Sequence, residues 1–100
     1  MIDLEFKFDA PLREYSGKGS WHFVTVPKSI SDDIKAFTKH KLKGFRTVRV
    51  RVKTGQSEWL TSLFPDSKSG TYALPIKAAI RNAETLKEGD MVAVSISVML

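Results

Sequence analysis

The basic side chains between Lys35 and Lys53 are the densest chemical signal in the chain. From Ile34 to Ser57 there is no Asp or Glu, yet there are eight basic residues: Lys35, Lys39, Lys41, Lys43, Arg46, Arg49, Arg51 and Lys53. The rest of the chain holds eight basic and eleven acidic residues, so the whole net charge of +5 arises in this one stretch. Arg49, Arg51 and Lys53 alternate with Val48, Val50 and Val52. On a strand, that alternation lines the three cations along one face with a repeat of about 6–7 Å, comparable with the phosphate spacing of a nucleic-acid strand. Such a row neutralises phosphates and gives salt-dependent, sequence-tolerant binding. Lys39, Lys41, Lys43, Arg46, Arg49, Arg51 and Lys53 are therefore the candidate anion or nucleic-acid face. Two structural roles stay open beside it. Cations on an exposed strand discourage edge-to-edge pairing, or they pair with Asp3, Glu5 or Asp9 on a neighbouring strand. An acidic protein is the other candidate partner.

A second set is aromatic. Trp21, Phe23, Trp59 and Tyr72 are candidates for a small-molecule seam, with plain core packing as the competing use of such large side chains. Signals for catalysis and metal binding are weak. There is no cysteine, which excludes disulfides, thiolate nucleophiles and cysteine-ligated metals. His40 sits among lysines, a poor place for a cation, and His22 falls in a strand, where a hydrogen-bonded structural role is the commoner one. No Gly-x-Ser-x-Gly elbow and no Gly-rich phosphate loop is present. The recognition helix, RNP aromatics and zinc-finger spacings of common nucleic-acid readers are missing too. The reading is of no enzyme and no cofactor.

The elements that must position these residues are mostly strands. Ile2, Leu4, Phe6 and Phe8 alternate with charged residues, and Trp21–Val26 carries apolar groups on both faces. Ser29 with Asp32 three residues on reads as a capping box opening a helix to Lys39, with Ile30, Ile34 and Phe37 as its apolar stripe. Thr47–Lys53 is the clearest strand. Its hairpin partner, Glu58–Phe64, places either Leu60 and Phe64 or Trp59 and Leu63 inward. Thr71–Leu74 is a short strand. Pro75 suits a helix start, and Ile76, Ala79, Ile80 and Ala83 form a second apolar face. Gly89-Asp90 turns the chain into a last strand from Met91 to Leu100. The order strand, helix, turn, strand thus occurs twice, with Pro27 answered by Pro75 and Val48 by Val92.

Trp21 to Pro27, Ser62-Leu63-Phe64-Pro65, and Leu74-Pro75 through Gly89-Asp90-Met91-Val92-Ala93-Val94 together resemble the bacterial DUF1905 domain family. The likeness runs from Leu4 to Val98. It implies a mainly β fold, a small double-split antiparallel β-barrel with two short capping helices and an internal pseudo-two-fold, similar in fold to AbrB-type barrels. In those, two chains each give one half; here one chain of a single domain, residues 1–100, would give both. The resemblance implies no catalytic residues. Relatives often continue into a C-terminal helical module similar to bacteriocin-protection proteins, and no activity of that module is expected from a chain stopping at Leu100.

No apolar run follows a basic start as in a signal peptide, and none approaches the ~20 residues of a spanning helix. The expectation is a bacterial, cytoplasmic binding or interaction module with no membrane association, monomeric or weakly homo-oligomeric, its ligand unnamed by the sequence. The alternatives are a nucleic-acid-binding protein using the basic face of residues 35–53, and a small-molecule binder or enzyme at the aromatic seam.

Overall fold

Valine alternation produces the strands and sets their inner face. In the computed structural model, which describes residues 4–15, 21–39 and 47–99, Val48, Val50 and Val52 are fully buried and Arg49, Arg51 and Lys53 exposed. The element order is β1 (Leu4–Pro11), β2 (Arg13–Tyr15), β3 (Trp21–Val26), α1 (Lys28–Thr38), β4 (Val48–Thr54), β5 (Ser57–Asp66), β6 (Thr71–Pro75), α2 (Ala78–Ala83) and β7 (Met91–Val98). The strands form one curled antiparallel sheet, a half-barrel, in the order β1-β7-β4-β5-β6-β3-β2. Its concave side holds one core, including Val24, Val26, Val50, Leu63, Leu74, Val94 and Ile96.

Two long stretches of chain serve both ends of this sheet. β5 pairs with β4 through Leu63 and with β6 from Phe64 onward. β1 pairs with β7, and after the buried bend at Leu12 the same chain pairs with β3 as β2. The bend is held by the final turn: Leu12 N–H donates to the Asp90 carbonyl and Gly89 N–H to the Leu12 carbonyl, both at 2.8 Å. Gly89 has φ of 92°, and Asp90 N–H bonds back to the Lys87 carbonyl at 3.0 Å, the arrangement of a type II turn that requires a residue without Cβ strain. The Gly-Asp turn expected from sequence is therefore present.

The strand register reveals the internal two-fold. Laying Val48 on Val92 and Phe8 on Thr61 carries the pair Phe8–Val94 onto Thr61–Val50. Laying Pro27 on Pro75 and moving the β1–β2 chain by the same offset carries Arg13–Phe23 onto Asp66–Thr71. One offset for the whole bent strand thus satisfies both ends of the sheet. The repeat is one of hydrogen-bond geometry as well as of punctuation.

The helices depart from the sequence reading in detail. α1 starts at Lys28 after Pro27, with no side-chain cap; Asp32 lies beyond the first turn and instead meets Lys28 Nζ at 2.7 Å. Its buried residues are Ser31, Ile34 and Thr38, while Phe37 is 42% exposed. Polar residues can occupy this stripe because each hydroxyl is used. Ser31 Oγ donates to the Val26 carbonyl (3.0 Å) and accepts from Tyr72 N–H (3.1 Å), joining β3 to β6 at the end of their ladder. Thr38 Oγ1 donates to the Ile34 carbonyl at 2.8 Å. α2 begins after Lys77, so Pro75 ends β6 rather than opening the helix; Ile76 and Ile80 are buried, but Ala79 and Ala83 are exposed. Along β5, Trp59 and Leu63 face inward, and Leu60 and Phe64 face out.

Candidate functional site

The strands divide the basic set. β4 lies in the middle of the sheet between β7 and β5, so its cations cannot be guarding an edge. Arg51 sits between Ser97 and Leu60, Arg49 beside Ser62, and Lys53 between Ser95 and Glu58. Glu5 and Asp9 lie on β1, one strand beyond β7, and are not cross-strand neighbours of β4. Among the described residues, none of Arg49, Arg51 and Lys53 enters an ion pair; the pairs found are His22–Glu14 and Lys28–Asp32. Lys39 ends α1, a helix that packs on β6, and so stands apart from the β4 row. Lys41, Lys43, Arg46 and Asp3 lie outside the described residues, as does the Gly44 turn.

Lys53 differs from its two companions. It shares a groove of about 540 Å³ with Glu5, Lys7 and Asp9, over the small side chains Ala93 and Ser95 of β7. Carboxylates and ammonium groups both line it, so that groove favours no one sign of ligand. Arg51 and Arg49 do not line that groove; their neighbours on β5 are Leu60 and Ser62.

The aromatic set also divides. Trp21 and Phe23 lie on the outer face of β3 with ring centroids 4.9 Å apart, and Tyr15, directly opposite Trp21, extends the row at 6.1 Å. Tyr15 is 52% and Trp21 37% exposed, which leaves ring surface open for stacking. Trp59 points inward. Tyr72, only 2% exposed, is a core residue beneath α1, with Lys35 Nζ 5.9 Å from its ring centre. Tyr72 therefore does not belong to the seam, and Phe23 supports Trp21 rather than lining the opening. Sequence reasoning missed Tyr15, because its three-residue strand shows no periodicity.

Trp21 and Trp59 do meet at a shared opening. Where β5 leaves β6, a cleft of about 300 Å³ is lined by Trp21, His22, Trp59, Leu60, Thr61, Pro75, Ile76, Lys77 and Arg81. Lys77 is the extended residue that precedes α2 and Arg81 lies in the last turn of that short helix, four residues on, a spacing that could have singled them out. Arg81 is half-buried and steadied by its Nε–H, which donates to the Ile76 carbonyl at 3.2 Å. Among the described residues no carboxylate lines the cleft. Glu14 Oε2 lies 3.2 Å from His22 Nε2; the other ring nitrogen of His22 is buried and has no hydrogen-bond partner among the described residues. The opening thus combines two indoles, an aliphatic wall and two cations. It suits a flat ring carrying negative charge. Among the described residues no group of three or more His, Asp or Glu is arranged to hold a metal, and no helix is long and apolar enough to cross a membrane.

A search of curated proteins finds no match to the chain. The sequence model of DUF1905, described as a domain of unknown function, matches residues 8–96, so the chain belongs to that family.

Proposed function

We propose that this DUF1905 chain is a non-enzymatic binding module that takes an anionic ligand bearing a flat ring in the cleft between Trp21 and Arg81. The observation carrying the reading is the lining: two tryptophans with Lys77 and Arg81 and, among the described residues, no carboxylate. A nucleotide-like ligand has both parts this lining complements. Its ring gains contact with indole, and its phosphate gains charge-assisted hydrogen bonds from the guanidinium.

The test is saturation-transfer NMR with nucleoside monophosphates. Binding is expected, with transfer strongest to the base protons, and it should vanish in Lys77→Glu/Arg81→Glu. Recovery of the ligand unchanged after long incubation is expected of a non-enzymatic module. A monophosphate that binds the double variant as well as the wild type would overturn the cleft assignment, and turnover would overturn the non-enzymatic part.

A further inference from the structure

We infer that the cleft is one end of a track for single-stranded nucleic acid, which runs from the Tyr15–Trp21 rings across Lys77 and Arg81 to Arg51 and Arg49 on β4. The inference rests on the cleft reading and extends it. Continuity comes from β5. Leu60 forms part of the cleft wall and is also the direct cross-strand neighbour of Arg51, while Ser62 stands beside Arg49. Rings and cations therefore share the convex face of the sheet. From β2 to β4 this face spans about four strand spacings, roughly 20 Å, room for a short extended run of nucleotides.

Three observations favour this occupant. The arginines are exposed, central in the sheet and without an ion pair among the described residues, so neither edge protection nor internal pairing accounts for them. Their two-fold counterparts on β7, Ala93 and Ser95, occupy an equally central strand with no charge at all, so the fold does not require cations there. The rings at the far end are open at the surface, where an unpaired base can stack but a paired one cannot reach. Backbone phosphates over cations with bases on aromatic rings is the chemistry of sequence-tolerant single-strand binding.

The test compares thymidine monophosphate, a thymidylate dodecamer and polyglutamate on the intact chain. The dodecamer should bind at least about tenfold more tightly than the monophosphate at low salt, since it engages cleft and arginines together. Arg49→Glu/Arg51→Glu should remove that gain, leave monophosphate binding and the thermal melt unchanged, and lower the log–log salt slope by roughly 1.4, two contacts at ~0.7 each. Trp21→Ala should weaken both ligands by at least about fivefold. A dodecamer no tighter than the monophosphate, or one indifferent to the arginine reversal, would overturn the track while leaving the cleft reading intact. Monophosphate binding that fails while the dodecamer still responds to the arginines would overturn the cleft reading instead. Polyglutamate competing as well as the dodecamer would reassign the face to an acidic protein.

Discussion

β4 and β7 hold equivalent places on the two sides of the internal two-fold. Both run through the middle of the same sheet end and pair with each other from Val50–Val98 to Lys53–Ser95. Their inward residues are nearly the same: Val48, Val50 and Val52 against Val92, Val94 and Ile96, all buried. Their outward residues share nothing, Arg49, Arg51 and Lys53 standing against Ala93, Ser95 and Ser97. One side of each strand is fixed by packing, where a methylene more or less is felt. The other side is left free by the fold. The difference shows which part of the sequence builds the barrel and which part is available for binding.

The comparison is most severely tested from the inside. Val50→Asp and its counterpart Val94→Asp should each cost more than about 4 kcal/mol, because a carboxylate would be buried with no partner in an apolar core. Urea denaturation should find both unfolded or nearly so. A tolerant Val94 would mean that the two inner faces are not equivalent.

The turns give a sharper contrast. Gly55 (φ 58°) in the β4–β5 hairpin and Gly89 (φ 92°) before β7 are both in the left-handed region, where a branched side chain is strained by about 1–3 kcal/mol. A Cβ on Gly89 meets nothing within 4 Å, whereas one on Gly55 would overlap the Glu84 carboxylate, which accepts a 2.6 Å hydrogen bond from Ser57 Oγ. Gly55→Val should therefore lower the melting temperature more than Gly89→Val. Adding Glu84→Ala should bring the two nearer together.

A smaller effect separates the helices. Ser31→Ala should cost about 1–3 kcal/mol by stranding Tyr72 N–H in a buried place. Ala79 stands at the equivalent place on α2 and is exposed, so Ala79→Ser should be close to neutral. The smallest effect is expected outside the sheet. Giving β4 the outward residues of β7, as Arg49→Ala/Arg51→Ser/Lys53→Ser, should shift stability by no more than about 0.5 kcal/mol per site. A large loss on chemical denaturation would show that the cations are structural after all.

Much of this architecture is legible in the chain because period-two alternation of valine with charged or small residues has only one strand reading. The parity of β5 is not, since both candidate sets are apolar. Trp59 and Leu63 are chosen only by the register, which sets them opposite the buried Val52 and Val48 of β4. Nor is the stripe of α1 legible, because burial of Ser31 depends on a ladder end formed by two strands distant in sequence. Likewise Arg49 and Lys53 look alike in sequence, and only the sheet order puts one beside Ser62 and the other opposite Glu58. The cleft is half legible: its tryptophans stand out by size and Lys77 and Arg81 by their spacing, but only the fold brings the two pairs to one opening.

The bend at Leu12 also governs when the fold can be completed. The chain that makes β1 and β2 leaves the ribosome early, yet β1 must wait for β7, whose Val98 pairs with Leu4. β4 waits for the same strand on one of its sides. Contacts so distant in sequence pay their loop-closure cost before they are rewarded, so closure is expected to be the slow step. During synthesis, β3 to β6 can associate while the open sides of β1 and β4 still present unpaired backbone.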